Sequence, residues 1–368
     1  MTRTSARSVD RGRVIAYRAL SMRDVLPTGA QDHPPGRTAR LALRLRGIEP
    51  DDDPGGHALV QSVRGAIHLH AAADVDLYTA ALRIEDGADI APYSFGTFGR
   101  ELSADGVRYD AALADVADAM RAAMAAGEPL TKGELSEAVT PAVPPRLAPW
   151  CGGCGVNHVH DGLFRAATLQ AGLRIEVEHS TLFRYLPPTG EAGPPADPAP
   201  ARAELVRRFL RAFGPARPVH LAGWLGLTPA AGRRWWALAE DELEEVRLGG
   251  HRHYVLADAA AALLDAPEPE GTRLLGPYDP VTELADRELL VPDRTRRGSV
   301  WNPAGNPGVL LVDGEIAGTW RQRSASGRLT LTVRPFDGLG ARRRSEVEAE
   351  AEWVGAALGA ERVAAAFG

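Results

Sequence analysis

The stretch that decides the fold is residues 203–256, AELVRRFLRAFGPARPVHLAGWLGLTPAAGRRWWALAEDELEEVRLGGHRHYVL. Its apolar residues recur at helical spacing up to Gly214-Pro215, which ends a first helix, and a short second helix follows. A third helix begins after the N-cap Thr228. The runs Leu243–Val246 and His253–Leu256 then predict the two strands of a hairpin. The segment therefore predicts three helices followed by a two-stranded wing.

This order of elements is typical of a winged helix, a layout that places one helix in the major groove of DNA. Arginines crowd the unit, namely Arg207, Arg208, Arg211, Arg217, Arg233 and Arg234. Because clustered guanidinium groups form the electrostatic footprint of a nucleic-acid binder, we predict contact with double-stranded DNA. The alternative is a winged-helix unit that serves only for packing or for contact with another protein.

Composition limits the remaining possibilities. The chain has 368 residues, 45% hydrophobic and 24% charged, and a net charge of −6. This acidity argues against strong non-specific binding of nucleic acid, although a local basic face remains compatible with it. No apolar run is long enough to span a bilayer and none follows the N-terminus, so we expect no membrane contact and a cytoplasmic location. The two cysteines lie in one short motif, which fits a reducing compartment.

Cofactor chemistry has no signature in the sequence. No glycine-rich phosphate loop occurs between a strand and a helix, and no nucleophilic serine elbow is present. We therefore expect a protein that works without a cofactor. We also expect a monomer.

Turn-rich and proline-rich segments predict an α+β chain of four regions. Residues 1–140 would form an N-terminal helical and first winged-helix region, and 141–200 a middle winged-helix region with the Pro-rich loop Pro187–Pro200. Residues 201–265 would form the winged helix described above. Residues 266–368 predict a β-rich domain, with a tight hairpin turn at Asp313-Gly314 and a closing helix over Arg342–Leu358.

Several segments together resemble the large winged-helix DNA-binding family that includes bacterial DNA glycosylases acting on bulky alkylated bases and interstrand crosslinks. The matching segments include Gly29-Ala30-Gln31-Asp32, Val63–Leu69, Glu204–Pro215, Arg273–Pro280 and the hairpin from Val312 to Arg321. The resemblance covers nearly the whole chain. It implies tandem winged helices and a β-rich C-terminal part in a C-shaped arrangement, with duplex DNA in the concavity.

The characterised glycosylases of that family share a Gln–apolar–Gln or Gln–apolar–Asp motif that places a water against the sugar. Here the corresponding residues are Gly29-Ala30-Gln31, so the second glutamine is present and the first is replaced by glycine. Asp32 and His33 follow and can also polarise water, which makes Gln31, Asp32 and His33 the candidate catalytic residues. The alternative is that Gln31 and Asp32 cap a helix that begins near Pro34.

Two further groups of residues have alternative interpretations. Cys151, Cys154, His158 and His160 offer the donors of a cramped tetrahedral zinc site. The alternative, which we favour, is a glycine-rich turn with two buried small thiols and surface histidines. Arg64 either meets a phosphate or pairs with an interior carboxylate beside a core His68. The candidate DNA-binding residues are Arg37, Arg40, Arg64, Arg207, Arg211, Arg233, Arg234, Arg296 and Arg321.

These observations lead to one main hypothesis and two rivals. The main hypothesis is a DNA glycosylase, or a relative of one, that excises bulky alkylated bases from duplex DNA. The first rival is a non-catalytic winged-helix DNA-binding protein or regulator. The second rival is a protein-interaction scaffold, which would show no salt-dependent affinity for duplex DNA.

Overall fold

Small sheets and short helices alternate along the first two thirds of the chain, and one five-stranded sheet dominates the last third. This architecture comes from a computed structural model that describes residues 7–49, 55–95, 97–179, 182–189, 197–284, 286–325 and 327–368. The chain is therefore of mixed α and β class, as the sequence predicts. Part of the predicted Pro-rich loop, residues 190–196, lies outside the described residues.

The N-terminal region combines a three-stranded antiparallel sheet with short helices. In chain order its elements are β1 (Arg7–Val9), α1 (Arg11–Ser21), β2 (Ala30–Gln31), α2 (Thr38–Arg44), β3 (His57–Gln61), β4 (Ile67–Ala71), α3 (Val75–Ala81), α4 (Pro92–Phe95), α5 (Phe98–Ala104) and α6 (Tyr109–Ala123). Strand β4 lies between β2 and β3. Helix α2 begins at Thr38, four residues later than the helix start predicted near Pro34.

The middle region holds a second three-stranded sheet, in the order β5-β9-β8, and a separate two-stranded hairpin. Its elements are β5 (Leu130–Thr131), α7 (Lys132–Val139), β6 (Trp150–Cys151), β7 (Val156–Asn157), α8 (Asp161–Gln170), β8 (Arg174–His179) and β9 (Leu182–Leu186). A capping box begins α7: the Thr131 hydroxyl accepts from the Glu134 N–H, and the Glu134 carboxylate accepts from the Thr131 N–H.

Three helices followed by a hairpin occupy the segment quoted at the outset. They are α9 (Ala199–Phe213), α10 (Pro218–Leu225), α11 (Pro229–Ala237), β10 (Leu243–Leu248) and β11 (His251–Leu256), followed by α12 (Ala260–Asp265). The strands run further than predicted, because the turn needs only Gly249 and Gly250, both at positive φ. The N-terminal β1 pairs in parallel with β10, so residues from the start of the chain complete this sheet.

The last third is a sheet in the order β12-β13-β14-β15-β16. Its elements are β12 (Thr272–Leu275), α13 (Arg287–Leu290), α14 (Arg294–Val300), β13 (Gly308–Val312), β14 (Glu315–Ala325), β15 (Arg328–Pro335), α15 (Ala341–Ala357) and β16 (Arg362–Phe367). The predicted Asp313-Gly314 turn has both residues at positive φ, 49° and 80°. Asp293 caps α14, so the candidate DNA-binding residue Arg296 lies on a short helix.

Two apolar clusters hold these elements together. The larger one extends from α1 through the three-stranded sheets of the N-terminal and middle regions to α9–α11. Trp235 and Trp236 are buried in it. The smaller one fills the space between the C-terminal sheet and α15, where Trp320, Val347 and Val354 are almost fully buried. Among the described residues, no helix has both the length and the apolar character needed to traverse a bilayer.

Candidate active site

A polar cluster forms where the short strand β2 meets β4. Gln31 at the end of β2 is the register partner of His68 on β4, so both side chains lie on one face of the sheet. Gln31 is half-buried, whereas His68 is fully buried. The second glutamine of the expected motif therefore lies at a sheet edge beside an interior imidazole.

Arg64 reaches Gln31 from the turn between β3 and β4. Its backbone is left-handed, with φ of 56°, which a non-glycine residue rarely adopts. Its guanidinium donates to the Trp224 carbonyl, to Gln31 Oε1 at 3.3 Å and to Glu283 Oε2 at 3.2 Å. This geometry matches the interior-carboxylate interpretation of Arg64, and the guanidinium lies between two groups able to orient a substrate or a water.

Glu283 is the member of this cluster that sequence reasoning missed. It follows the RLLGPYDP segment, where one glutamate among apolar residues resembles any surface carboxylate. Two buried ion pairs flank it in the sequence. Arg46 binds both oxygens of Asp279 at 2.8 and 2.9 Å, and Arg18 binds Asp286 at 2.6 Å. The segment that carries Glu283 is therefore anchored on both sides.

The environment of Glu283 favours a buried carboxylate. Its side chain is only 6% exposed, and Oε1 has no hydrogen-bond partner among the described residues. Burial opposes ionisation, but His68 and Arg64 together outweigh it and lower the pKa of Glu283. The Oε2 atom lies 3.9 Å from His68 Nε2, an ion-pair distance longer than a hydrogen bond. The cluster thus holds a charged carboxylate with one oxygen free to bind a water or a cationic group.

The glycine that replaces the first glutamine of the motif is in contact with His70. A Cβ atom at Gly29 would lie 2.3 Å from His70 Cε1, and the residue has φ of 79°. His70 is fully buried, bonds Ser62 Oγ at 2.8 Å and packs on Tyr78 with ring centroids 3.9 Å apart. Burial, reinforced by His68, lowers the pKa of His70 well below its ordinary value, so the ring is neutral. A neutral imidazole therefore fills the space next to position 29.

Asp32 is committed to the chain itself. Its carboxylate accepts hydrogen bonds from the backbone N–H groups of Gly36, Arg37 and Ala39 at 2.5, 3.1 and 3.1 Å, and the residue is 3% exposed. These contacts order the turn that leads into α2. The N-cap position of α2 is Arg37, so Asp32 stabilises the start of this helix from outside it and is not the N-cap residue that the capping interpretation expected. This geometry argues against direct catalysis by Asp32.

His33 lies at the edge of this turn and shares no described hydrogen bond with Gln31 or Arg64. Its exposed ring meets Tyr278 edge-on at 5.0 Å between ring centroids. Its backbone N–H donates to Thr38 Oγ1 at 2.7 Å. Of the three candidate catalytic residues, only Gln31 contacts the Arg64–Glu283 pair in the described structure.

Several candidate DNA-binding arginines have acidic partners. Arg207 binds both oxygens of Glu242 at 2.8 and 2.7 Å, and Arg296 binds both oxygens of Asp337 at 2.8 and 2.9 Å. Arg211 pairs with Asp258 at 2.8 Å, and Arg234 pairs with Asp89. Each such pair cancels most of its own charge, which weakens the local positive field that the sequence predicts around α9–α11.

Arg37, Arg40, Arg233 and Arg321 are the remaining candidates outside the polar cluster. Arg37 and Arg233 are exposed, and no side-chain partner of either is found among the described contacts. Arg37 and Arg40 line a groove of about 520 Å³ between α2 and the end of the C-terminal sheet, together with Arg44 and Arg328. We call these four residues the basic groove. Arg321 donates to the Gly305 carbonyl at 2.9 Å and lines a separate cleft of about 410 Å³.

The cysteine motif folds into the hairpin of β6 and β7. Cys151, Cys154 and His158 place their ligand atoms within 4.8 Å of one another. His160 has another role, because its Nδ1 accepts from the Gly162 N–H at 3.3 Å at the start of α8 and its ring stacks on Phe98. The thiols are half-buried and exposed, not buried as our favoured interpretation expected.

Known proteins resemble this chain in sequence and in fold. The family described as DNA glycosylase AlkZ-like matches residues 27–357. The interstrand DNA cross-link repair glycosylase of Streptomyces sahachiroi is 31% identical over 177 residues, and this alignment spans 45% of each protein, less than half of the relative's length. The solved structure of Streptomyces sahachiroi DNA glycosylase AlkZ superposes with a TM-score of 0.72 at 22% identity, covering 98% of this chain and 100% of that one.

The structural likeness extends over nearly every element described above, and at this identity it establishes the fold. The family match covers the segments that supply the polar cluster, from Gln31 to Glu283. The chain belongs to the AlkZ-like family of DNA glycosylases.

Proposed function

We propose that this protein is a DNA glycosylase that hydrolyses the N-glycosidic bond of a bulky alkylated purine in duplex DNA. The observation that carries the proposal is the contact of Gln31, Arg64 and Glu283 within a chain whose family match spans residues 27–357. The name of the relative from Streptomyces sahachiroi adds interstrand crosslinks as a substrate class to be tested.

The chemistry suits the residues available. An N7- or N3-alkylated purine carries positive charge, so when the bond to C1′ breaks its electron pair neutralises the departing base. The sugar left behind has oxocarbenium character and is attacked at C1′ by a water, which then loses a proton. The protein must therefore hold that water and stabilise a cation.

Glu283 and Gln31 have different roles in this reaction. A carboxylate whose pKa is depressed is a weak base, so Glu283 acts mainly through its negative charge beside the sugar cation. Its Oε1 is buried and has no hydrogen-bond partner among the described residues, so we assign that oxygen to this task. Gln31 orients the water, and Arg64 is a positioning residue because it binds both side chains.

The DNA path is assigned from the position of the arginines on the surface. We assign a strand of the duplex to the basic groove, because four arginines line it and two of them, Arg37 and Arg40, closely follow the Gln31–Asp32 turn. We also propose that α9–α11 with the β10–β11 hairpin work as a winged helix through the exposed Arg233. Duplex seated in a C-shaped concavity is part of this proposal.

The decisive experiment measures free base released from duplex DNA that contains a defined N7-alkylguanine. We expect Glu283→Gln and Gln31→Ala each to reduce the single-turnover rate by about 10²–10³-fold, the range found when one electrostatic contact to the transition state is removed. Duplex affinity should stay at the wild-type value in both variants. The melting temperature should stay unchanged for Gln31→Ala and fall for Glu283→Gln, because Arg64 then loses its buried charged partner.

Glu348→Gln is the matched control, since Glu348 is an exposed glutamate on α15. It should release base at the wild-type rate. Wild-type release by a Glu283→Gln variant that is folded at the assay temperature would remove Glu283 from the mechanism.

Binding without excision is the second candidate function. It is favoured by two observations: Gly29 replaces a motif glutamine, and the Asp32 carboxylate is fully engaged by backbone N–H groups. Salt-dependent duplex affinity with no free base from any alkylated substrate would establish this alternative. Absence of duplex affinity would instead favour a protein-interaction scaffold.

A further inference from the structure

The β6–β7 hairpin gathers three metal-ligating side chains that the proposed glycosylase chemistry does not use. Cys151 ends β6, Cys154 lies in the turn and His158 directly follows β7. Their ligand atoms all lie within 4.8 Å of one another. Ligands bound tetrahedrally at about 2.3 Å from a zinc ion lie about 3.8 Å apart, so only a small inward movement is needed to bind one.

The backbone of the turn brings the two thiols together. The N–H groups of Gly155 and Cys154 donate to the Cys151 carbonyl at 2.8 and 3.2 Å, and Gly155 has φ of 67°. Beyond the turn, the Asn157 side chain donates to the Ala148 carbonyl at 3.1 Å, which fixes the base of the hairpin. The spacing of the donors is therefore set by main-chain hydrogen bonds that do not involve the thiols or the imidazole.

The imidazole is oriented in the way that metal-binding histidines usually are. His158 Nδ1 lies 2.8 Å from the Val159 carbonyl, a contact that requires the proton on Nδ1. This contact leaves Nε2 as the nitrogen with a free lone pair. A backbone carbonyl that fixes the tautomer of a ligand histidine is a common outer-shell partner in metal sites.

We propose that Cys151, Cys154 and His158 form a zinc site with three protein ligands and a water in the fourth tetrahedral position. Two thiolates and an imidazole are donors that suit zinc and are poor ligands for magnesium or calcium. His160 is not a ligand, because its ring is fixed against Phe98 and the α8 N-terminus. No other described cysteine, histidine or carboxylate joins the cluster.

The ion has a structural task in this position. The hairpin pairs only Trp150 with Asn157 and Cys151 with Val156, and so short a two-stranded unit is marginally stable in water. It nevertheless presents two large apolar side chains to solvent, Trp150 at 66% and Val156 at 52% exposure. Zinc would tie the tip of this hairpin to the residue that follows it and keep both side chains in place.

The test is metal analysis of the full-length protein, purified with reductant and excess zinc and then freed of unbound metal. We expect one zinc per chain in the wild type, and tetrahedral cobalt absorption with a thiolate charge-transfer band after exchange. Cys151→Ser, Cys154→Ser and His158→Gln should each weaken zinc affinity at least about 100-fold. Loss of an outer-shell partner already costs up to that factor, and loss of a direct ligand should cost more.

Two histidine variants serve as controls. His160→Gln tests the four-ligand arrangement and should retain the ion, as should His251→Gln on the β10–β11 hairpin. Circular dichroism of each variant verifies that it is folded. A reduced wild type without zinc, a Cys151–Cys154 disulfide that persists under reductant, or zinc retained by both cysteine variants would overturn the site. Because base release is not the readout, the result is independent of glycosylase activity.

Discussion

At the scale of single residues, position 29 explains how this chain departs from the motif it resembles. Gly29 and His70 occupy adjoining space, and a side chain at position 29 would collide with the ring of His70. The imidazole is held by Ser62 and Tyr78, so it cannot readily move aside. The absent glutamine and the buried histidine are therefore a matched pair, and restoring one without changing the other should fail.

We expect Gly29→Ala to lower the free energy of unfolding by about 1–3 kcal/mol through overpacking, in addition to backbone strain from its positive φ. Gly47→Ala is a suitable control, since Gly47 has a similar φ of 74° but no described atom within 4 Å of its Cβ. It should show the strain alone. Denaturant unfolding of both variants measures the difference, and equal losses would show that His70 does not restrict position 29.

A double-mutant cycle extends this test. Removing the ring in His70→Ala should make Gly29→Ala less costly, giving a coupling energy within the range of about 0.5–3 kcal/mol found for residues in contact. For the same reason, Gly29→Gln should gain base release only when His70 is also reduced in size. Additive effects at these positions would contradict the contact.

At the scale of elements, the segment after β12 shows how a short irregular stretch can position a functional side chain. Asp279 is completely buried and binds Arg46 just beyond the end of α2, while Asp286 binds Arg18 of α1. Glu283 lies between these anchors. Because each anchor joins residues more than 200 positions apart in the chain, the location of Glu283 depends on helices from the N-terminal region.

Removing one anchor should destabilise the fold. Asp279→Ala leaves Arg46 buried without its partner, so we expect the free energy of unfolding to fall by about 3–5 kcal/mol. Asp258→Ala breaks the exposed pair with Arg211, in which both side chains are more than half exposed, and should cost about 0–1 kcal/mol. Chemical denaturation compares them, and similar losses would mean that the Arg46–Asp279 pair does not anchor the segment.

Elements also show where local patterns mislead. The capping box of α7 was predictable, because Thr131 and Glu134, three positions apart, contain all the information. Strand β16 was missed, since Arg362–Phe367 is rich in alanine, which favours helix, and only parallel pairing with β15 makes it a strand. Strand β1 was missed for a similar reason, because its partner β10 lies more than 200 residues away.

At the scale of the whole molecule, charge is distributed more selectively than the sequence suggests. The net charge is −6, and many arginines around α9–α11 are matched by nearby carboxylates. The basic groove between α2 and the C-terminal sheet collects four arginines in one depression. The affinity of this protein for a duplex should therefore depend on a few arginines and not on its net charge.

Duplex affinity measured against salt concentration tests that distribution. Arg37→Ala should weaken binding of any duplex sequence and reduce the slope of log K against log salt by about 0.9, the value expected for one lost phosphate contact. Arg207→Ala is matched in residue type but paired with Glu242, and it should leave the slope unchanged. If the two variants lose affinity equally, the basic groove is not the main phosphate contact.

The sequence by itself determined most helices, the long hairpins and the family, because hydrophobic spacing, caps and glycine turns act over a few neighbouring residues. It also singled out Gln31. Only the tertiary structure decided that Arg64, 33 residues further along the chain, contacts both this glutamine and Glu283, which lies 252 residues beyond the glutamine. It also decided that the Asp32 carboxylate binds the backbone ahead of its own helix. Such contacts depend on how distant elements pack, and no local pattern of residues encodes that packing.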